Sequence, residues 1–303
     1  MKPFTPLIPL LGLVLAMMLW GSSFIAMKLA FTVYDAWLVI FGRLAVAAFC
    51  FAPFVKILFK GVRFQRHQLK YLLGLVLAEP GLYFILEALA LQNTTASQTG
   101  MITAMLPLIV AVAAALWLGE TVSSRMWIGF SIAMIGVWWL SLAADSTADA
   151  PNPMLGNFLE FLAMICAAGY TILLKKLVRD YSPLALTAIQ AAGGALFFLP
   201  ALFLPSVNLQ PGWDLSGLGS VIYLGTFVTI GAYGLYNYAL KHMPASHVGG
   251  YVNLIPVFAV LLGFLVLDER FTFSQLFAAV LVFTGVIISQ WRSRIKAVES
   301  TSI

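Results

Sequence analysis

The sequence predicts an all-α polytopic membrane protein, with ten transmembrane helices arranged as two inverted five-helix repeats. Three observations carry that expectation. The chain has 303 residues, of which 61% are hydrophobic and only 10% charged, more apolar surface than a soluble fold of this length can hide. Apolar runs close to the about 20 residues needed to cross a bilayer recur along the whole length. The chain also matches itself in order, half against half. Strict apolar–polar alternation, the mark of a membrane β-barrel, is absent.

Taking Pro, Gly and charged clusters as breaks, helices are expected at 8–30, 37–58, 71–91, 97–118, 126–143, 155–177, 183–204, 218–240, 246–267 and 274–291. The first run, PLIPLLGLVLAMMLWGSSFIAMKLA, is too long for a signal-peptide core and lacks a small-x-small cleavage site, so it reads as a retained span. If both termini are cytoplasmic, fourteen Lys and Arg fall on that side and only Lys28 and Arg270 on the other, with Arg43 inside a span. That bias orients the chain N-in and C-in, in a plasma membrane such as the bacterial inner membrane. The same bias accounts for the net charge of +5, so no nucleic-acid partner is inferred. Cys50 and Cys166 both fall in apolar runs, which indicates neither a disulfide framework nor a metal site.

The internal match fixes the expected domains. A shift of 149 aligns Pro107 with Pro256, Glu120 with Glu269, Gly136 with Gly285, Gly100 with Gly249, and Ala96-Ser97 with Ala245-Ser246. A shift of 147 aligns Pro53 with Pro200. The expected units are a first repeat at 1–144, a polar linker at 145–154, a second repeat at 155–291 and a cytoplasmic tail at 292–303. Five helices is an odd number, so the second copy enters the membrane inverted. Inverted repeats are a recurring basis of alternating access, because each half can adopt the conformation of the other.

Several segments carry a resemblance. They are LWGSSFIAMKLA in helix one, FGRLAVAAF in helix two, ALQNTTASQTGMITAMLPLIVAVAAALWLGE, and its echo ALKHMPASHVGGYVNLIPVFAVLLGFLVLDE. With the Gly-rich closing segments IGFSIAMIGVWW and FAAVLVFTGVII, the pattern resembles the EamA-type members of the drug/metabolite transporter superfamily. The resemblance implies a ten-helix carrier of a small-molecule substrate. It leaves the substrate open among amino acids, nucleotide sugars, other metabolites and drugs.

Ionisable residues inside a bilayer are costly and tend to be functional. At 1.5 Å per residue, Arg43 lies about 9 Å below the outer surface and Glu87 within about 6 Å of it. The two are therefore expected to pair, in a structural or gating role. Their repeat equivalents, Gln190 and Asn237, are expected to form a neutral amide pair near the cytoplasmic side, or to bond neighbouring backbone. Glu160, about 8 Å from the outer end of helix six, reads as interfacial. Glu79 is nearest mid-depth and has no basic residue at its level. Pro80 cannot donate to the carbonyl of Val76, and Gly81 lets the chain bend. Broken helices at mid-membrane often line a polar cavity. Glu79 is thus a candidate to bind a proton, a substrate ammonium, or each in turn. The alternative is a protonated side chain that caps the carbonyl freed at Val76.

Tyr83, Trp20, Tyr233, Tyr236, Tyr251 and Asn253 complete the candidate site, with packing or interfacial anchoring as the plainer role of each aromatic. Helices five and ten carry small-residue stripes, Gly129, Ala133 and Gly136 echoed by Ala278, Val282 and Gly285, and are expected outside the path. The favoured function is a secondary active transporter that exports a small amphipathic metabolite such as an amino acid, with proton coupling, by alternating access. No cofactor is implied, since no phosphate-binding G-x-x-x-x-G-K-[ST] motif occurs. A monomer is expected, a dimer being the other option. The competing classes are an intramembrane enzyme and a sensor or scaffold. The three histidines, His67, His242 and His247, lie at the cytoplasmic edge, and no HExxH or GxSxG motif supports catalysis.

Overall fold

The structure is a computed structural model describing residues 7–62, 65–118, 123–208, 212–243 and 245–290. Glu120 and the tail expected at 292–303 lie outside the described residues. Backbone polar groups in lipid must be satisfied within the segment, so apolar runs of spanning length fold as helices. Among the described residues nine do so: α1 Leu7–Phe31, α2 Ala36–Leu58, α3 Arg66–Leu91, α4 Ala96–Ala113, α5 Ser124–Leu142, α6 Pro153–Leu177, α7 Pro183–Phe203, α8 Leu215–His242 and α9 Val248–Leu267. A tenth apolar helix, α10 Phe273–Ser289, is shorter. Helix three begins earlier than hydropathy suggests, because its first turns carry Arg66, Gln68 and Lys70, polar residues suited to the membrane edge. Six starts are marked by a side chain that accepts from a backbone N–H two or three residues on: Asp35, Thr95, Ser123, Asn152, Ser182 and Asp214.

The packing obeys the repeat. α1 lies against α8 and α9, and α6 lies against α3 and α4. α2 packs on α7, α4 on α9, and α5 on α10. Exchanging each helix for its counterpart five places on leaves this set of neighbours unchanged. Loop contacts sort the ends consistently. Lys28 Nζ donates to Asp149 O at 2.6 Å, Asn152 N to Asn93 O at 3.1 Å, and Tyr34 Oη to Asp214 O at 3.2 Å. The Glu269 carboxylate accepts from Ala96 N and Ser97 N, both at 2.8 Å, so the α9–α10 connection caps the start of α4. At the opposite end, Gln68 Nε2 donates to Asp180 Oδ2 at 2.6 Å.

α5 and α10 meet through their small-residue stripes. A methyl group at Gly129 would fall on the Gly285 carbonyl oxygen, and one at Gly136 would lie 2.7 Å from Val282 N. Neither helix reaches the cavity described below.

α3 is broken at mid-span. Glu79 precedes a proline, whose ring disfavours the helical region for the residue before it. Glu79 is accordingly extended, with φ −151° and ψ 119°. Two regular segments, Arg66–Val76 and Tyr83–Leu91, flank the break. The facing helix α7 makes room for it. A methyl at Gly194 would collide with the Pro80 ring, and one at Gly193 would lie 2.9 Å from a Val76 methyl. The counterpart of the break, Leu224–Ala232 in α8, is wound in wide π-type turns, and Thr229 Oγ1 donates to Leu224 O at 2.8 Å.

Two glycine substitutions separate close packing from helix propensity. Gly129→Ala is expected to destabilise the protein by about 1–3 kcal/mol through overpacking. Gly169→Ala, where an added methyl meets nothing within 4 Å, is expected to be neutral or stabilising by up to about 1 kcal/mol. Thermal unfolding of both variants in one detergent checks the ordering.

Candidate functional site: a cavity between the two halves

The break in α3 opens onto a cavity of about 50 Å³ walled by both halves. α3 supplies Glu79, Tyr83, Phe84 and Glu87, the turn-by-turn stripe expected of its outer half. α1 supplies Trp20, Ser23 and Phe24, and α2 supplies Arg43. Tyr233 and Tyr236 come from α8, and Met164, Ala167, Tyr170 and Thr171 from α6. Glu79, Glu87 and Arg43 are 5%, 3% and 2% exposed, so three ionisable groups share one desolvated space.

Glu79 is not alone at its depth. The Tyr233 hydroxyl, from the other half, donates to Glu79 Oε1. Gln190 Nε2 of α7 donates to the Glu79 carbonyl at 3.4 Å. The side chain therefore reaches across the cavity and does not turn back to Val76, so the capping alternative is not the arrangement adopted. Trp20 packs edge-on to Tyr233 with ring centres 5.1 Å apart, and lies 4.9 Å from Tyr236.

The expected ion pair between Arg43 and Glu87 is not formed. Both face the cavity, but Arg43 Nε donates to Thr229 Oγ1 at 3.3 Å and Nη1 to Met27 Sδ at 3.6 Å. Its guanidinium lies 4.5 Å from the centre of the Phe84 ring. Glu87 instead accepts from Tyr83 Oη at 2.8 Å, one turn back on its own helix. Lining one cavity did not bring the two side chains into contact. The one ion pair among the described residues, Arg270 with Asp268, is exposed.

The amide pair is also corrected. The alternative, bonding to backbone, holds: Gln190 donates to the Glu79 carbonyl, and Asn237 Nδ2 reaches the Pro183 carbonyl at 3.5 Å. Asn237 Nδ2 also donates to Thr187 Oγ1 at 3.0 Å, and its Oδ1 accepts from Tyr170 at 3.2 Å. Each amide serves a different neighbour because α7 presents Thr187 and Gln190 on successive turns. Tyr251 and Asn253 do not line the cavity; among the described residues of α9 only Ile255 does. Glu160, expected near the outer membrane edge, is fully buried within the protein, on a helix against which α3 and α4 pack.

Sequence reasoning passed over Ser23, Thr103, Tyr170 and Thr171. A signal existed for one pair: Ser23 and Thr171 are equivalent at a shift of 148, between the two shifts that define the repeat. Leu106 and Ile255, equivalent at 149, both line the cavity as well.

Removing the hydroxyl that meets Glu79 tests the inter-half contact. Tyr233→Phe is expected to lower stability by about 1–3 kcal/mol, since it strands a buried carboxyl oxygen. In a double-mutant cycle with Glu79→Ala, the combined loss should fall short of the sum of the single losses; additive losses contradict the contact.

The sequence matches the EamA-like transporter family twice, over residues 7–142 and 154–291. It is 27% identical over 276 residues to an uncharacterized transporter of Archaeoglobus fulgidus, covering 91% of this chain and 96% of that protein. Over 210 residues it is 30% identical to the uncharacterized transporter YetK of Bacillus subtilis, covering 69% of this chain and 64% of YetK. It is 28% identical over 190 residues to an Escherichia coli K12 protein named Probable amino-acid metabolite efflux pump, covering 59% of this chain and 63% of that one. A crystal structure of another protein superposes with a TM-score of 0.66 at 17% identity, covering 94% of this chain and 97% of that one, which establishes the fold alone. With both halves matched, the chain belongs to the EamA-like transporter family, and it is a polytopic membrane transporter.

Proposed function

We propose that the protein is a secondary carrier that exports a small amphipathic metabolite bearing an amine, such as an amino acid, in exchange for protons. The observation that carries this reading is Glu79. It is a buried carboxyl at a helix break, on the wall of a cavity that both halves build. A carboxylate there binds either a proton or a solute ammonium, and the competition between the two is the simplest basis for exchange. Trp20, Tyr233 and Tyr236 add aromatic faces that favour an organic cation. Arg43, the cation on the cavity wall, has no carboxylate partner in this conformation and is placed to meet a solute carboxylate. Export is the direction suggested by the name of the Escherichia coli relative.

In this form the cavity has room for only a few waters. Loading a metabolite thus requires the halves to separate at one end, and the repeat supplies a symmetric way to separate them at the other. The reading includes both termini in the cytoplasm, repeats at 1–144 and 155–291, and a monomeric carrier in the plasma membrane. Cysteines in 144–152 should react with an impermeant thiol reagent on intact cells, and cysteines in 61–68 only after permeabilisation. Labelling of 61–68 from outside inverts the topology.

Function is tested in proteoliposomes with a panel of labelled amino acids. Glu79→Gln mimics the permanently protonated carrier. It should still exchange solute for solute across the membrane but lose the response of net transport to a pH gradient. Glu79→Asp should keep part of that response. Gradient-driven uptake equal to wild type in the Gln variant, from mildly acidic to mildly alkaline pH, removes the coupling role.

A further inference from the structure

Glu160 of α6 is 0% exposed, and neither of its carboxyl oxygens has a hydrogen-bond or ion-pair partner among the described residues. The lack is local. Asn157, three residues earlier, accepts from Thr94 Oγ1 and donates to Gln98 Oε1, both at 2.8 Å, and to Ser141 Oγ at 3.0 Å. The fold therefore provides partners for a structural polar group at this level and provides none for Glu160.

Glu160, Met164, Ala167 and Thr171 follow helical spacing, and the last three line the cavity. Glu160 stands one turn beyond the cavity, toward the end that the charge bias assigns to the outside. α3, α4, α5 and α8 pack against α6. α3, packed on α6, carries Glu79, Tyr83 and Glu87 on the cavity wall. α8 brings Tyr233 and Tyr236 to the cavity below it, and the described residues of α4 and α5 bring only neutral polar groups to this end. The basic residues of these helices, Arg66, Lys70, Arg125 and Lys241, stand at the opposite ends of their spans, as do Lys175 and Lys176 of α6 itself. Arg43 faces the cavity from α2.

A carboxylate buried without cation or donor is far more costly than the neutral acid. A metal ion would need several oxygen ligands, and no suitable group of side chains exists among the described residues. A proton needs one oxygen. We propose that Glu160 is a second proton-holding site of the carrier, which exchanges its proton with Glu87 and with water when the outer end of α6 parts from α3. In that exchange one proton moves from a carboxyl oxygen of Glu160 to a carboxylate oxygen of Glu87, or the reverse, with no other bond changed. Tyr83 is bonded to Glu87, and Glu79, bonded to Tyr233, stands one turn further along α3 on the same cavity wall. This inference rests on the proton-exchange reading of the cavity and gives it an outer terminus.

Infrared difference spectra of the full chain in lipid vesicles, recorded in H2O and D2O across mildly acidic to mildly alkaline pH, read protonated carboxyls with no solute present. The wild type should show carboxylic-acid bands that are sensitive to deuterium and fade as pH rises. Glu160→Gln should lack one of them, and Glu160→Asp should shift it. Spectra of the Gln variant identical to wild type overturn the proposal, as does a missing band that never responds to pH in the wild type. If the Gln variant fails to fold, the Asp variant decides the question: a shifted band supports the proposal, and an unshifted one overturns it. Because this readout involves no transport, it stands or falls apart from the Glu79 experiment. Loss of coupling in Glu79→Gln with no titrating Glu160 band sinks this inference alone.

Discussion

The conformation of a single residue organises the centre of this protein. Glu79, before Pro80, is extended, whereas Ala52, Leu106 and Leu199, each also before a proline, stay helical; the spanning helix α3 therefore breaks at Glu79. A break in lipid leaves backbone groups that need partners. The protein meets that need from the other half. Gln190 donates to the Glu79 carbonyl, Gly193 and Gly194 clear space for Val76 and Pro80, and Tyr233 takes the carboxyl. The break thus binds the two repeats together at the same point where it opens a cavity between them. Structure and transport share one constraint.

The electrostatics of the cavity follow from how its polar groups are partnered. Arg43 is held by a hydroxyl, a thioether and an aromatic face, all neutral. Glu79 and Glu87 are each held by a tyrosine hydroxyl. Had Arg43 and Glu87 formed a direct ion pair, each would have neutralised the other. A neutral partner positions an ionisable group without cancelling its charge, which under the proposed function leaves both kinds of group free to meet a solute or a proton. Away from the cavity the pattern differs. Asn157 and Asn237 are bonded on both sides of their amides, and such closed networks rigidify a bundle.

Much of this is legible in the sequence, and the reasons it stops are physical. Helix positions and the repeat can be read because hydropathy and Pro/Gly punctuation act locally. The stripes on α5 and α10 can be read because close packing permits only small residues. Glu79 can be read because a carboxyl beside a proline in an apolar run has few structural excuses. Depth along a helix also follows from counting, but the direction a side chain takes around the axis does not. Arg43 and Glu87, expected at one level from counting, meet different neighbours. Depth along α6 says nothing of burial, and Glu160 is fully buried within the protein. Composition alone puts Tyr251 and Asn253 in the site, but α9 turns Ile255 and not these two to the wall.

The central claim is that one cavity, built by both halves around the α3 break, is reached from each side of the membrane in turn. Thr103 lines it from α4, is buried, and bonds only its own helix, so a cysteine fits there with little change. With Cys50 and Cys166 replaced, Thr103→Cys can be probed by an impermeant thiol reagent in sealed right-side-out and inside-out vesicles. Alternating access requires slow labelling from both sides, with the rate on one side falling when conditions raise it on the other. Labelling from one side only, whatever the solute or pH gradient, contradicts the account.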